Sequence, residues 1–318
     1  MHPLALPFRR SGYVTRHSGY AWARAIVMLA ILLAGQGCKI CRWSRNEQDQ
    51  IAVRQLALRG AEAMQRGNAD EAERCFQDAI TKHPQDERCY VLLAELRKKQ
   101  GRSVESTENL EKAISLSGGD PHLLVELGEQ RFEQDELAEA MECVRKALRQ
   151  DATSSRAWVL HARLLREAHQ GPEAIVAYHR ALQIDPNQYA VTLELAEVYL
   201  QEGRLERCLS TLDSRACNAT EALESGEPEY LRGIAFARMK RHADATTALA
   251  EAERKGIRSP ELYFLLAQSH HLSGSPASAR LALAEAQKLS PEDERFAQLA
   301  AAIDTPRSSL ATKPRQLR

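Results

Sequence analysis

The hydrophobic and polar positions of this chain repeat with a period of 34 residues. In the first repeat, which starts at Val53, small residues stand at positions 8, 20 and 27 and a bulky one at position 24: Gly60, Ala72, Ala79 and Phe76. Two antiparallel helices that approach to about 8–10 Å need small residues where they cross and bulky ones beside the crossing. The pattern therefore predicts a pair of helices in each repeat.

Six further repeats carry the pattern and start at residues 87, 121, 155, 189, 226 and 260. A loop-like insertion near 214–228 shifts the frame by three residues between the fifth and sixth repeats. In the fifth repeat Cys208 and Arg215 stand at positions 20 and 27. Because Arg is rarely fully buried, the second helix of this repeat is expected to end early. A functional bend and simple sequence drift are both open explanations for the insertion.

This register resembles the tetratricopeptide repeat, which also has a 34-residue period. The resemblance covers residues 53–293 and implies a right-handed α-solenoid of seven helix-turn-helix repeats with a concave groove. Residues 294–304 place Phe296, Leu299 and Ile303 among polar residues, which predicts an amphipathic helix that caps the last repeat. The low aromatic content of 5% also disfavours a β-sandwich or barrel, so the expected fold class is all-α.

Charge is balanced over the whole chain but segregated along it. There are 43 Lys and Arg residues and 43 Asp and Glu residues. Residues 1–46 contain seven basic residues and no acid, and the predicted disordered tail 305–318 contains four basic residues and no acid. The intervening residues 47–304 therefore carry a net charge of −11. Because such an array repels phosphate, we expect no nucleic-acid partner.

An uncharged segment follows Arg24 and runs 14 residues from Ala25 to Cys38. This length suits the apolar region of a signal peptide, about 7–15 residues, and is short for a spanning helix of about 20. The segment resembles a bacterial lipoprotein signal, although Gly35 stands where Leu is usual. The resemblance implies lipid attachment at Cys38, removal of residues 1–37 and a tether over 38–52. Cleavage without lipid and an uncleaved anchor remain open.

Candidate chemistry is sparse. Cys38 and Cys41 form one Cys-x-x-Cys pair, without the second pair or histidines of a zinc site or the strand-helix context of a redox motif. His161 and His169 are spaced roughly 12 Å along one predicted helix, too far apart to share a metal. Hydrolase, phosphate-loop and zinc-protease motifs are absent. We expect no enzymatic activity, cofactor, metal or small-molecule substrate.

The resemblance also implies which residues face the concave groove. Position 5 of the first helix is apolar in all seven repeats. Position 12 is apolar in several of them, including Met64, Phe132 and Leu200, and position 9 is charged in four. The expected partner-binding residues are Val91, Glu95, Val125, Glu129, Phe132, Val159, Arg163, Leu193, Glu197, Tyr230 and Phe264. Such a groove suits an amphipathic or extended protein segment that carries basic residues. In the alternative interpretation, position 5 packs against the neighbouring helix.

These features predict a non-catalytic scaffold or adaptor that is exported and lipid-anchored in a bacterial cell envelope, facing the periplasm. A role in an envelope assembly complex is suggested by fold-level analogy. One alternative is a cytoplasmic or inner-membrane-anchored scaffold that keeps its N-terminal helix. Another is a thiol-redox or metal protein that uses Cys38 and Cys41.

Overall fold

The computed structural model describes residues 48–214 and 224–305. In these residues it contains α-helices joined by short turns and no β-strand, which confirms the predicted all-α fold. The predicted signal segment, Cys38, Cys41, Arg215 and residues 306–318 lie outside the described part.

The helices follow one another with turns of a few residues between them, except between residues 212 and 227, where residues 215–223 are not described. Their bounds are α1 (48–65), α2 (Ala69–Lys82), α3 (Glu87–Lys99), α4 (Ser103–Ser117), α5 (Pro121–Glu133), α6 (Leu137–Gln150), α7 (Ser155–Glu167), α8 (Gly171–Ile184), α9 (Tyr189–Gln201), α10 (Leu205–Leu212), α11 (Glu227–Arg238), α12 (His242–Arg254), α13 (Pro260–Leu272), α14 (Pro276–Leu289) and α15 (Glu294–Asp304). They form two compact bodies, with α1–α4 in the first body and α5–α15 in the second.

The first helix of each pair begins where a repeat begins. Helices α3, α5, α7, α9 and α13 start at residues 87, 121, 155, 189 and 260, and α11 starts one residue after 226. Helix α1 differs, because it is already helical at residue 48, within the predicted tether. Residues 48–52 contain neither Gly nor Pro, so nothing in that segment ends the helix before Val53.

The small residues at the helix crossings of each repeat are buried. Every described residue at positions 8, 20 and 27 is buried, and the alanines there are 0% exposed. Ser106 replaces Ala at position 20, and its hydroxyl donates a hydrogen bond of 2.7 Å to the carbonyl oxygen of Ala94. Small side chains thus let the paired helices approach closely, and the described core is a succession of these crossings.

The turn inside each repeat requires an unusual backbone conformation. Position 15 has a positive φ in all seven repeats, between 56° and 88°. Gly occupies this position four times, and Asp135, His169 and Lys240 adopt the same left-handed conformation in the other three repeats. Because this conformation reverses the chain after each first helix, it sets the geometry of every pair.

Helix α10 is much shorter than the other second helices of the repeats. It spans eight residues, Leu205–Leu212, whereas α8 spans 14. Cys208 and Leu212 are 0% exposed and fill the buried positions 20 and 24 of this repeat. The early end of this helix agrees with the sequence-based expectation.

The side-chain amide of Gln130 is buried in the core without a hydrogen-bond partner among the described residues. Gln130 is 2% exposed, and neither Oε1 nor Nε2 has a hydrogen-bond partner among the described residues. Position 10 of the neighbouring repeats holds Leu96 and Leu164, each also 2% exposed. Because an unsatisfied buried polar group costs about 1–3 kcal/mol, Gln130→Leu should raise the free energy of unfolding by that amount in chemical denaturation.

The reverse substitution is the matched control for Gln130. Leu164→Gln places an amide at the same repeat position one repeat later, and it should lower the free energy of unfolding by a comparable amount. If Gln130→Leu leaves the denaturation midpoint unchanged while Leu164→Gln lowers it, the amide of Gln130 is satisfied in solution and the prediction is wrong.

Candidate partner-binding site

The second body contains a cavity of about 580 Å³ beside the first helices of the fourth and fifth repeats. Helix α7, the start of α9, the preceding turn and one side chain of α5 surround it. Its lining consists of Glu129, Ser155, Arg156, Val159, Leu160, Arg163, Asp185, Gln188, Tyr189, Ala190 and Val191. Three predicted groove residues, Glu129, Val159 and Arg163, are therefore brought together.

The cavity wall follows from the helical spacing of α7. Ser155, Arg156, Val159 and Arg163 occupy positions 1, 2, 5 and 9 of the repeat, and a period of 3.6 residues places them on one face. Ser154 begins the helix, because its hydroxyl accepts a hydrogen bond of 3.3 Å from the backbone N–H of Ala157. One face of α7 thus presents alternating charged and apolar side chains to the cavity.

Arg156 and Glu129 join α7 to α5 through two parallel hydrogen bonds. Nε of Arg156 lies 2.7 Å from Oε1 of Glu129, and its Nη2 contacts Oε2. The hydrogen bonding to Glu129 raises the pKa of Arg156 above its ordinary value. A bidentate pair fixes both side chains, so the charged edge of the cavity is held in one geometry.

A second ion pair stands behind the cavity. Nε and Nη2 of Arg163 lie 2.9 Å and 2.6 Å from the two carboxylate oxygens of Glu194, and the Tyr178 hydroxyl donates to Oε2 at 2.9 Å. Burial would raise the pKa of Glu194, but hydrogen bonding and charge attraction from Arg163 outweigh it, and the pKa lies below its ordinary value. The guanidinium group of Arg163 is therefore held in place by Glu194.

These pairs change the predicted acidic edge of the groove. Glu129 is paired with Arg156, and Oε2 of Glu197 lies 3.8 Å from Nη1 of Arg166. Burial raises the pKa of Glu197, and Arg166 opposes that shift only in part. Because Arg156 and Arg166 lie beside them, Glu129 and Glu197 offer less negative charge to a partner than the sequence alone indicated.

Position 5 is buried in three of the seven repeats. Val125 is 2% exposed, and Val159 and Leu193 are each 7% exposed. Val159 and Leu193 belong to one buried cluster, and only Val159 lines the cavity. The expectation that Val125 and Leu193 form an open groove surface is therefore wrong, because these side chains pack against neighbouring helices as in the alternative interpretation.

The remaining predicted groove residues do not line this cavity. Phe264 packs on the capping helix α15, with its ring centroid 5.6 Å from that of Phe296, and half-buried Tyr230 packs against the same cluster. Phe132 is half-buried on α5 and does not line the cavity. Val91 and Glu95 lie in the first body on α3, where Glu95 accepts a 2.8 Å bond from Lys99.

Several lining residues escaped the sequence analysis, and the turn before α9 is the clearest case. Nε2 of Gln188 donates to Oγ of Ser155 at 2.6 Å and to Oδ2 of Asp185 at 3.0 Å. Oγ of Ser155 in turn donates to the carbonyl oxygen of Ala181 at 3.1 Å. The turn before α9 is thus linked by hydrogen bonds to the start of α7 at this side of the cavity.

Cys38 and Cys41, the pair of the thiol or metal alternative, lie outside the described residues. The described residues contain no cluster of three or more His, Cys, Asp or Glu side chains placed to hold a metal. Burial raises the thiol pKa of Cys89 to about 11 and that of Cys208 to about 12, so both are protonated at neutral pH. In the same part of the chain, none of the helices has the length and apolar character needed to cross a membrane.

The repeats match known family models. Family models described as tetratricopeptide repeat match residues 58–121, 165–216 and 230–294. The chain belongs to the tetratricopeptide repeat family. The matched segments fall in both bodies and include α7 residues from Leu165 onward.

Solved tetratricopeptide repeat structures have the same fold. One from Parabacteroides merdae aligns with a TM-score of 0.56 and 15% identity over 80% of this chain and 99% of its own. The C-terminal part of one from Cytophaga hutchinsonii aligns with a TM-score of 0.61 and 12% identity over 76% of this chain and 97% of its own. YrrB, a tetratricopeptide repeat protein described as having an unusual peptide-binding site, aligns with a TM-score of 0.54 and 17% identity. The alignment covers 60% of this chain and 97% of YrrB. At these identities the likeness shows the fold alone.

Curated relatives match one part of this tetratricopeptide repeat chain. Mouse protein O-mannosyl-transferase TMTC1 is 29% identical over 162 residues, which is 49% of this chain and 17% of the relative. The human protein of the same name is 28% identical over an equal length and is covered to 18%. The chain therefore spans less than a fifth of the length of these relatives. The name O-mannosyl-transferase describes the relatives.

Proposed function

We propose that this protein is a non-enzymatic scaffold that holds a segment of a partner protein in the cavity beside α7 and α9. The observation that carries the proposal is the 580 Å³ cavity itself, whose charged side chains are already ordered by ion pairs. Side chains that are ordered before binding lose less conformational entropy when a partner arrives. Tetratricopeptide repeats in general support protein–protein interaction.

The lining indicates the chemistry of the bound segment. Val159, Ala190 and Val191 offer apolar contacts, while Gln188 and Ser155 offer hydrogen bonds. Asp185 is exposed and has no cationic partner among the described residues, whereas the other three charged lining residues are already in ion pairs. An amphipathic or extended segment with a basic residue beside an apolar one fits this arrangement.

The proposed location is a bacterial cell envelope, with the protein attached through lipid at Cys38 and facing the periplasm. The supporting features are the basic N-terminal residues, the 14-residue uncharged segment and the small residues before Cys38. Participation in an envelope assembly complex is part of this proposal. The alternative is a cytoplasmic or inner-membrane-anchored scaffold that retains the N-terminal segment.

Filling the cavity tests the scaffold proposal. Ala190 lines the cavity on an exposed position of α9, so Ala190→Trp should occupy its volume without disturbing the core. Affinity capture from the native cell extract should identify a partner whose recovery falls about tenfold or more with Ala190→Trp, since a tenfold loss needs only about 1.4 kcal/mol. Ala250→Trp, on an exposed position of α12, is the matched control. Equal recovery with all three proteins would exclude the cavity as the binding site.

Lipid attachment has its own test. Cys38→Ser should move the protein from the membrane fraction to the soluble fraction, and the intact mass of the wild-type protein should show a lipidated chain that starts at Cys38. A Ser variant that stays in the membrane fraction at full-length mass would support the retained N-terminal helix. A mass that shows a metal or disulfide adduct on Cys38 and Cys41 would support the thiol or metal alternative.

A further inference from the structure

The first body contains an apolar slot of about 330 Å³ between α1 and α3. The side chains that line its interior are Val53, Ala57, Leu58 and Ala61 from α1 and Cys89 and Leu92 from α3. Val53 and Cys89 are 2% and 1% exposed and form the floor, whereas Leu58 is 64% exposed at the mouth. An open space lined in this way suits an apolar side chain.

The slot exists because of two small residues at defined repeat positions. Ala57 and Ala61 stand at positions 5 and 9 of the first repeat, where Val159 and Arg163 stand in the fourth. The same location therefore lacks both the bulk of a branched side chain and a guanidinium group. The two repeats therefore differ in side-chain size at position 5 and in charge at position 9, where the first repeat has Ala61 and the fourth has Arg163.

The charge at the rim of the slot is positive. Arg54 is exposed and has no carboxylate partner among the described residues. The side chain of Arg88 is 63% exposed, while that of Asp86 is only 10% exposed. Asp86 accepts from both Nε and Nη2 of Arg88 at 2.9 Å and also accepts from the backbone N–H of Arg88 at the start of α3. The lining of the slot therefore carries two guanidinium groups and one carboxylate, a net charge of +1, and the exposed guanidinium without a carboxylate partner is that of Arg54.

We infer that this slot binds an apolar side chain, of the size of Leu or Phe, from a partner segment that carries acidic residues next to it. Apolar burial supplies affinity, and the two guanidinium groups fix orientation and exclude a basic neighbour. The inference extends the proposed scaffold function and rests on it. It assigns a second site whose preferred charge is opposite to that of the cavity in the second body.

Fluorescence anisotropy with two labelled peptides tests the inference. One peptide has adjacent Leu and Phe flanked by Glu residues, and the other has Lys in place of each Glu. The full chain, solubilised in detergent, should bind the Glu peptide about tenfold or more tightly than the Lys peptide, and added salt should reduce the difference. Ala57→Trp, which fills the slot, and Arg54→Glu, an exposed change, should each weaken binding of the Glu peptide about tenfold or more.

Ala250→Trp, on an exposed position of α12 outside both linings, is the matched control and should bind the Glu peptide as the wild type does. No binding of the Glu peptide, or equal binding by Arg54→Glu and the wild type, would overturn the inference. If Ala190→Trp alone abolishes binding, the peptide occupies the cavity in the second body, and the slot is excluded while the scaffold proposal stands. Arg54→Glu keeps the test valid even if Ala57→Trp fails to fold.

Discussion

Tyr178→Ala should lower the free energy of unfolding by about 3–5 kcal/mol, the usual cost of removing a large buried aromatic side chain. Tyr178 is 0% exposed and lies in the buried cluster that underlies the cavity. Its ring fills space between helices, and the vacated volume cannot be recovered without moving them. Urea denaturation followed by circular dichroism measures the loss.

Tyr178→Phe separates packing from hydrogen bonding. This variant keeps the ring and removes only the 2.9 Å hydrogen bond to Glu194, which should cost about 0.5–1.5 kcal/mol. Glu194 keeps both bonds from Arg163 in this variant. If Phe proves as costly as Ala, the hydrogen bond rather than the ring supports this part of the second body, and the packing argument is wrong.

Gly233→Leu should destabilise the crossing of α11 and α12 by about 1–3 kcal/mol through overpacking. A Cβ atom at Gly233 would lie 2.5 Å from Cδ2 and Cγ of Leu249, a side chain that is 0% exposed. Replacing Gly within a helix otherwise gains up to about 1 kcal/mol of helix propensity. Because steric crowding opposes that gain and exceeds it, the thermal midpoint should fall.

The control for Gly233 is Ala250→Leu on the same helix pair. Ala250 is exposed on α12, so the added side chain meets solvent and the thermal midpoint should change little. If Gly233→Leu leaves the midpoint as high as Ala250→Leu does, the two helices do not approach closely at that position. The register of the sixth repeat would then be wrong.

The helix pairs and their crossings could be predicted from the sequence because one pattern recurs seven times. Small residues at positions 8, 20 and 27 are required wherever two helices cross, so each recurrence tests the same register. The structure buries every described one of them. The start of α1 was less predictable, because the repeat pattern marks the crossing of the two helices and leaves the beginning of the first one undefined.

The candidate site was predictable only in part. Glu129, Val159 and Arg163 were expected in the groove and do line one cavity. Their partners were missed because Arg156 lies 27 residues from Glu129 and Glu194 lies 31 residues from Arg163. Pairing over such separations depends on the side-chain conformations at each helix contact, which a single sequence does not specify.

The burial of Val125 also changes how the groove should be tested. Val125 is 2% exposed, so Val125→Asp would place a charge in the core and unfold the protein rather than block a partner. Exposed residues that line an opening, such as Ala190, are better sites for substitution. The apolar slot of the first body was likewise missed, because small residues at positions 5 and 9 leave a space that residue identity alone does not show.

Photo-crosslinking in living cells tests the central claim most directly. A photoreactive amino acid would be placed at position 190, in the lining of the cavity, or at position 281, where Leu281 is 73% exposed and does not line it. We expect one discrete partner adduct from position 190 and none from position 281. The adduct should be lost when Asp185→Lys is added, because this change reverses the charge that favours a basic segment. Equal adducts from both positions, or none from position 190, would contradict the proposal that this cavity holds a partner.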